Sequence, residues 1–526
     1  MRGSFFGLNV AVRGLFAAQN NLDIISHNLN NISTPGYSRQ YGVQQASRPL
    51  SLFDGTGMVG TGAEVTAIKR FRDEFLDQKY WRETTSNGEW FAKQELLADL
   101  EVTFNEPSPD ELTGSGFTKI TNEFYDLMQE LSKNPGDLSV RAALRQKAVT
   151  YAKYFNSMAA RFEKLQQDIN HRIGTKVSEV NTLAEQIGQL NKQIYNAELD
   201  GSTANDLRDQ RTVLVDKLSK LVDIQASEVV VGTLPNGAEN RHFTISIGGK
   251  NLVDHYQVTK LKTVQRDAAH KVNDEDVEQL YDIQWEDGNS VTIRGGELRG
   301  YLDARDGNEG TAGANHIASP VYKGIPYYIK KLNEFVRTFA RAFDEGMGTP
   351  PDHVAGHSEG YGMDGSTGKK FFTVLDASGN PIASSAFTDY DNMTAKNFCV
   401  SKDIMDDLKA IATSKTAGDI EDASILKNLI GFRHASSMFK EGSPEDFMKA
   451  LVVNLGIDSQ QAQRIFNNQQ TIVKQIDNQR ISVSGVSIDE EFSNIVKYQH
   501  SYNACAKMIT TMAEIYDTLI NRTGVR

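Results

Sequence analysis

Glycines at two places in this sequence resemble phosphate-binding loops. Gly55, Gly57 and Gly60 fit the spacing G-x-G-x-x-G, which binds a dinucleotide when a strand precedes it and a helix follows. The residues after Gly60 (TGAEVTAI) favour a strand, so no helix N-terminus is expected to face a pyrophosphate. The segment GSTGKK has Met363 where a phosphate loop needs its first glycine, and Lys370 where it needs Ser or Thr. Neither pattern predicts a cofactor.

Histidines and carboxylates form two incomplete metal patterns. His353 and His357 lie four residues apart, but the glycine between them and the two prolines before them predict a solvent-exposed loop. Asp303, Asp306 and Asn308 resemble part of a calcium loop that lacks its terminal glutamate, so we expect Asp303 to be solvated. No Ser-His-Asp or Cys-His arrangement follows from spacing. The sequence therefore predicts neither a metal site nor an enzyme.

The composition excludes further classes. The 526 residues carry 56 Lys and Arg against 68 Asp and Glu, a net charge of −12, which argues against binding to nucleic acid. Two cysteines, Cys399 and Cys505, cannot build a disulfide framework or a four-ligand zinc site. No stretch reaches the ~18 apolar residues of a membrane span, and the N-terminus lacks the apolar core of a cleaved signal peptide. A hydrophobic content of 39% is low for one compact globule, so part of the chain should be elongated.

Two amphipathic helices are predicted at opposite ends of the chain, because apolar residues alternate there at spacings of four and three. The N-terminal seam consists of Ala11, Leu15, Ala18, Leu22, Ile25, Leu29 and Ile32. The C-terminal seam includes Phe492, Ile495, Tyr502, Ile509, Tyr516 and Ile520. Ser487 and Glu490 have the spacing of a capping box at its start. Both seams are narrow, so we expect them to pack against each other within and between subunits.

A turn should end the first helix. Thr34, Pro35, Gly36 and Tyr37 form this turn motif, because proline disfavours a helical residue before it and glycine permits a tight turn. We expect it to direct the chain out of the layer of terminal helices.

The middle of the chain predicts an α+β fold, elongated and multidomain. Helical periodicity over residues 117–131, 144–194 and 207–221 indicates a long helical hairpin, with further helices at 327–343 and 447–473. Alternating patterns at 243–247 and 283–293 predict antiparallel strands. The predicted domains are a terminal coiled coil (1–75 with 475–526), a helical bundle (76–226, 296–345 and 402–474), an inserted β-domain (227–295) and a loop-rich insert with short strands (346–401).

Four segments carry a family resemblance. Residues 26–40 (SHNLNNISTPGYSRQ) closely resemble the N-terminal signature of the bacterial flagellar axial proteins, the rod, hook and junction family. The segment GTGAEV after Met58-Val59, the segment NDLRDQR at 205–211, and the C-terminal VSGVSIDEEF at 483–492 are similar to further motifs of its junction members. The motifs occur in the family's order over most of the chain.

The resemblance implies a structural adaptor between the flagellar hook and filament. It implies ring assembly through paired terminal helices, with the hook protein on one side and a second junction protein on the other. It also implies export through the flagellar type III apparatus without cleavage, helped by an export chaperone, to an extracellular position. The alternatives are another hook or rod protein, or a secreted coiled-coil effector or adhesin that acts as a soluble binding protein.

Overall fold

The computed structural model describes residues 5–51, 57–104, 116–233 and 239–522. The helices are α1 (Phe6–Asn30), α2 (Glu74–Phe104), α3 (Phe117–Lys133), α4 (Leu138–Glu198), α5 (Asn205–Leu221), α6 (Glu297–Asp306), α7 (Ile325–Glu345), α8 (Lys402–Asp406), α9 (Ser424–Phe432), α10 (Pro444–Ser484) and α11 (Ile488–Asp517). Together with small antiparallel sheets, these long helices confirm the predicted α+β class. Within the described ranges, no helix is both long and apolar enough to cross a bilayer.

The strands are short and belong to separate sheets. They are β1 (Gln40–Ala46), β2 (Leu50–Ser51), β3 (Met58–Val59), β4 (Ala63–Arg70), β5 (Gln225–Thr233), β6 (Glu239–Ile247), β7 (Lys250–Asp254), β8 (Gln257–Val258), β9 (Leu261–Gln265), β10 (Tyr281–Trp285), β11 (Tyr361–Gly362), β12 (Phe372–Val374), β13 (Phe398–Val400) and β14 (Ala412–Ser414). β1 and β4 pair as an antiparallel ribbon, and β5, β6, β7 and β8 form a four-stranded sheet in that order.

Helix α4 is the spine of the helical body. Asp137 caps its first turn by accepting hydrogen bonds from the N–H groups of Ser139 and Val140. The helix continues for 61 residues with a buried apolar stripe, and it packs against α3, α5, α6 and α7. Helices α4 and α5 confirm the predicted hairpin. Aromatic rings fill the core on one side of α4, including Phe155, which stacks 5.1 Å from Phe335 of α7.

The sheet β5–β8 covers another side of this body. Phe243, Ile245 and Ile247 on β6 are buried, as the alternating pattern predicted. The predicted strand around 283–293 is too long, because β10 ends at Trp285 and the chain then turns at Asp287-Gly288. Val291 and Ile293 lie in an extended loop, where Ile293 is buried by packing rather than by strand pairing.

A buried carboxylate joins the loop-rich segment to α7. Asp344, fully buried near the end of α7, accepts hydrogen bonds from the N–H groups of Phe371 and Phe372 and from the hydroxyl of Tyr390. Burial raises the pKa of Asp344 to about 8. Two short strand pairs follow, β12 with β13 and β11 with β14.

Two helix ends differ from the sequence predictions. Helix α1 ends at Asn30, so Ile32 lies outside it. Ser487 precedes α11 as predicted, but its side chain makes no cap hydrogen bond, and Glu490 pairs with Arg39 instead of completing a capping box.

The predicted domain boundaries at 75 and 475 fall inside α2 and α10. The division into four domains stays a prediction, and we propose that its terminal unit is better bounded at Gly485, between α10 and α11.

His357 gives the loop-rich segment a testable pH response. Its Nδ1–H donates to the carbonyl of Lys369, and its Nε2 accepts from the N–H of Ala412, which requires a neutral ring. Burial lowers its pKa to about 4. In the unfolded chain, the imidazole of His357 binds a proton near pH 6.5. The contribution of the neutral ring to the free energy of unfolding is therefore present above that pH. It is lost as the pH falls towards 4, by about 1.4 kcal/mol per pH unit at most.

We therefore expect the difference in free energy of unfolding between the parent chain and His357→Asn, the stability gap, to become smaller as the pH is lowered from about 6.5 to 4. Urea unfolding followed by circular dichroism measures this gap. His353→Asn is the matched control, since His353 is only half-buried and its pKa is raised, not lowered, by its hydrogen bond with Glu359. A gap for His357→Asn that stays constant over this range would contradict the assignment.

Candidate functional site

The terminal helices α1 and α11 pack antiparallel. The ring of Phe5 lies 4.9 Å from that of Tyr516, Gly14 faces Cys505, and Asn28 reaches Glu491 at the other end. A Cβ on Gly14 would lie 2.9 Å from the sulfur of Cys505, so the two helix backbones come close there.

The structure divides the predicted seam residues into three groups. Ala11, Ala18 and Ile25 are buried. Seven are half-buried: Leu15, Leu22, Leu29, Ile495, Tyr502, Ile509 and Tyr516. Ile32, Phe492 and Ile520 are exposed, at 40%, 56% and 65%. The antiparallel pair thus brings most of the predicted residues to its contact face, and it leaves these three outside it. Their role in assembly stays a prediction.

Helix α11 also exposes apolar residues on both sides of its contact face. At about 100° of rotation per residue, Phe492 and Val496 lie to one side, and Met508 and Ile515 lie to the other. We call these sets the first flank and the second flank. Among the residues described for α11, only Glu491 is buried. Sequence analysis missed three of these four residues, because a heptad count selects the contact face and not its borders.

The turn after α1 is fixed by the side chain of Asn28, which is buried. Its Oδ1 accepts hydrogen bonds from the hydroxyl of Tyr37 at 2.8 Å and the N–H of Gln40 at 2.9 Å, and its Nδ2 donates to the carbonyl of Gln40. Gly36 has φ +77°, and a Cβ there would lie 2.2 Å from Val213 of α5. The turn therefore packs on the helical body, and a side chain at Gly36 would strain the monomer as well as any assembly.

Beneath the turn, charged and polar side chains from six elements of the chain meet. We call this cluster the polar junction. It consists of Asn28, Ser38, Arg39, Arg70, Arg72, Asp77, Asp209, Asp216, Arg480 and Glu491. It connects the first turn and the β1–β4 ribbon to α2, α5, the end of α10 and the start of α11.

Two carboxylates of α5 hold most of the polar junction together. Asp209 accepts from the N–H of Ser38 at 2.7 Å and pairs with Arg70. Asp216 pairs with Arg480 at 2.9 Å and accepts from the indole N–H of Trp81 at 2.6 Å. Burial raises the pKa of Asp216, and Arg480 opposes that shift. These contacts fix the direction in which the terminal helices leave the helical body.

The other predicted chemistry does not come together. Gly55 lies outside the described residues, and the β4 strand follows Gly60 as expected. The expectation that His357 is solvent-exposed is wrong, since it is buried against Phe371. Asp303 is likewise buried, not solvated, because Lys93 and Arg299 both pair with it. No cluster of three metal-ligating side chains occurs in the described part of the chain.

Arg480 offers a direct test of the polar junction. Arg480→Met removes the ion pairs to Asp77 and Asp216 and leaves buried carboxylates with one partner fewer, so we expect a loss of about 3 kcal/mol in the free energy of unfolding. Urea unfolding followed by circular dichroism measures it. Arg82→Met is the control, since Arg82 is exposed and its one ion pair within the described residues is with Glu83, so it should change stability by less than about 0.5 kcal/mol. Equal effects for both variants would rule out the polar junction as a stabilising element.

Three family models match successive parts of the chain. Residues 100–372 match "Flagellar hook-associated protein FlgK helical domain". Residues 8–37 match "Flagella basal body rod protein", and residues 477–522 match "Flagellar basal body rod FlgEFG protein C-terminal". The last two ranges fall on α1 with its turn and on the end of α10 with α11, which are the paired terminal elements.

A solved structure has a similar fold. It is described as the flagellar hook junction protein FlgK from Burkholderia pseudomallei, and it aligns with a TM-score of 0.57 at 15% sequence identity. The alignment covers 77% of this chain and 100% of that one. At this identity, the likeness concerns the fold alone.

Characterised relatives match over nearly the full length. Flagellar hook-associated protein 1 of Bacillus subtilis is 30% identical, with 100% of this chain and 99% of that protein aligned. The protein of the same name from Salmonella typhimurium is 24% identical over 98% of this chain and 99% of its own length. The chain therefore belongs to the flagellar hook-associated protein 1 family, whose members are structural proteins of the flagellum.

Proposed function

We propose that this chain is the adaptor that joins the flagellar hook to the filament, and that its copies assemble as a ring through the terminal helices. The observation that carries the proposal is the pair of apolar flanks on α11. A ring needs two different contact surfaces on each subunit, because head-to-tail contacts close it. The first flank and the second flank lie on opposite sides of the α1–α11 contact and meet this requirement.

The partners follow from the same surfaces and from the family. We infer that the hook protein contacts one side of the ring and that a second junction protein contacts the other. An export chaperone would cover the exposed apolar residues of α11 before assembly. We also propose export without cleavage, and a contact next to α1 supports it: the ring of Phe5 packs against Tyr516 of α11, and cleavage after Phe5 would remove this contact.

A structural role is better supported than binding or catalysis. The rival hypothesis, a secreted coiled-coil effector or adhesin, does not explain why α11 has a single buried residue among those described. An enzymatic role finds no support in the candidate residues. His353 pairs with Glu359 at the surface, while both ring nitrogens of His357 are engaged with backbone groups. We propose that the chain is not an enzyme.

The first flank gives the test. Phe492→Ser with Val496→Ser should abolish swimming and release flagellin into the medium, because neighbouring subunits would lose an apolar contact. The stability of the purified monomer should change by less than about 0.5 kcal/mol, since both side chains are exposed. Swimming plates and immunoblots of culture supernatants measure the first effect, and urea unfolding measures the second.

Val321→Ser is the matched control, because Val321 is 82% exposed in a loop of the helical body, away from the terminal pair. It should swim normally. Met508→Ser with Ile515→Ser, on the second flank, should reproduce the defect of the first-flank variant. Normal swimming and retained flagellin in both flank variants would overturn ring assembly through α11.

A further inference from the structure

The turn between β7 and β8 packs against α4. It consists of His255 and Tyr256, and we call it the docking turn. The side-chain amide of Asn191 on α4 donates to the carbonyl of His255 at 2.5 Å. The backbone of α4 comes close at Gly188, because a Cβ there would lie 3.3 Å from the carbonyl oxygen of Tyr256. These contacts hold the outer edge of the sheet β5–β8 on the helical body.

Two histidine rings stack beside the docking turn. The ring centroid of His255 lies 4.0 Å from that of His242 on β6, and the two ring planes differ by 3°. The ring of Tyr195 on α4 meets the ring of His255 edge-on at 5.4 Å. His255 is 7% exposed, whereas His242 is half-buried. The stacked pair therefore lies where β6, the docking turn and α4 meet.

His255 lies in surroundings that disfavour a charged imidazole. Neither of its ring nitrogens has a hydrogen-bond partner in the described part of the chain. A protonated ring carries two N–H donors and needs an acceptor for each of them when it is buried. Burial lowers the pKa of His255, and the neighbouring His242 lowers it further. Asp254 opposes this shift, while Arg211 adds to it. The docked ring is therefore neutral at neutral pH.

The other charged groups around the stack balance one another. The titratable side chains that line a small cavity beside His255 are Tyr195 and Glu198 of α4, Arg208 and Arg211 of α5, Glu228 of β5, and Glu239 and Arg241 of β6. The three arginines and three glutamates of this set form ion pairs with one another. The ring of Tyr256 lies 4.8 Å from that of His255, and Asp254 is exposed at the end of β7. Among these groups, Asp254 is the one carboxylate left to stabilise a charge on His255.

We propose that the stack of His242 on His255 is a pH switch, which keeps the docking turn on α4 at neutral pH and releases it in acid. Two charged imidazoles at 4.0 Å repel each other, so the docked pair holds at most one proton. After release both rings face water, and each can bind a proton at about pH 6.5. Release therefore takes up protons, so the docked state is favoured above about pH 6.5 and becomes less stable as the pH falls. This switch is independent of the proposed ring assembly.

Amide hydrogen exchange on the full-length monomer, measured by mass spectrometry between about pH 7 and pH 5, tests the switch. Protection factors correct for the pH dependence of intrinsic exchange. Those of the docking turn and β8 should fall about tenfold per pH unit below about pH 6.5, because release takes up about one proton. The paired strands β9 and β10 are the internal reference. Their protection should stay constant, because they contain no part of the stack.

Three variants identify the titrating group. His255→Asn removes the buried imidazole, and asparagine tolerates the φ of +54° at this position, so protection of the docking turn should no longer depend on pH. His242→Glu places a carboxylate beside His255. It should stabilise the charged ring in the docked state and keep the docking turn protected down to about pH 5, a gain that a misfolded variant would not show. His270→Asn is the control, since His270 is exposed and pairs with Asp267, and it should respond like the parent chain.

Protection of the docking turn that stays constant with pH in the parent chain would overturn the switch. A fall as large as that of the parent chain in His255→Asn or in His242→Glu would overturn its assignment to the stacked pair.

Discussion

The carboxylate of Glu491 accepts a hydrogen bond from Arg39 at 2.6 Å and lies 3.4 Å from the amide of Asn28, at the point where α1, the β1–β4 ribbon and α11 meet. It is 1% exposed, and a buried carboxylate is tolerated only where donors surround it. Asn28 also holds the turn that follows α1, so the start of α11 and the end of α1 share one set of hydrogen bonds. The rest of the polar junction, through Asp209 and Asp216 of α5, connects that point to the helical body.

This arrangement explains a chain of modest hydrophobic content. The helical body has its own core, built on α4 and the aromatic residues around Phe155 and Phe335. The terminal pair has no comparable core, since no apolar residue described for α11 is fully buried within one subunit. Its orientation therefore depends on the buried polar contacts, while its apolar flanks remain available to neighbours. A terminal pair that is held by buried polar contacts and exposes apolar flanks suits a protein that folds alone and that, as we propose, is completed by assembly.

The sequence allowed the elements to be predicted far better than the contacts between them. Periodicity located α3, α4, α5 and α7, because each buries a continuous stripe. The capping-box prediction at Ser487 was wrong. Glu490 has the spacing of a capping box in the sequence, but in the fold it forms an ion pair with Arg39. The polar junction could not be predicted, because nothing near Asp77 indicates that Arg480 will pair with it. The only sequence signal for the polar junction was the segment NDLRDQR, which contains Asp209. The family resemblance marked this segment as a motif but did not show which residues it contacts.

Amide hydrogen exchange on α11 tests the central claim most directly, by comparing the free monomer with the protein in isolated hook–filament junctions. If neighbouring subunits complete the terminal pair, amides between Phe492 and Tyr516 should exchange readily in the monomer and become strongly protected in the junction. Amides of α4 should be protected in both states, because that core is complete within one chain. Strong and equal protection of α11 in the monomer and in the junction would contradict this account.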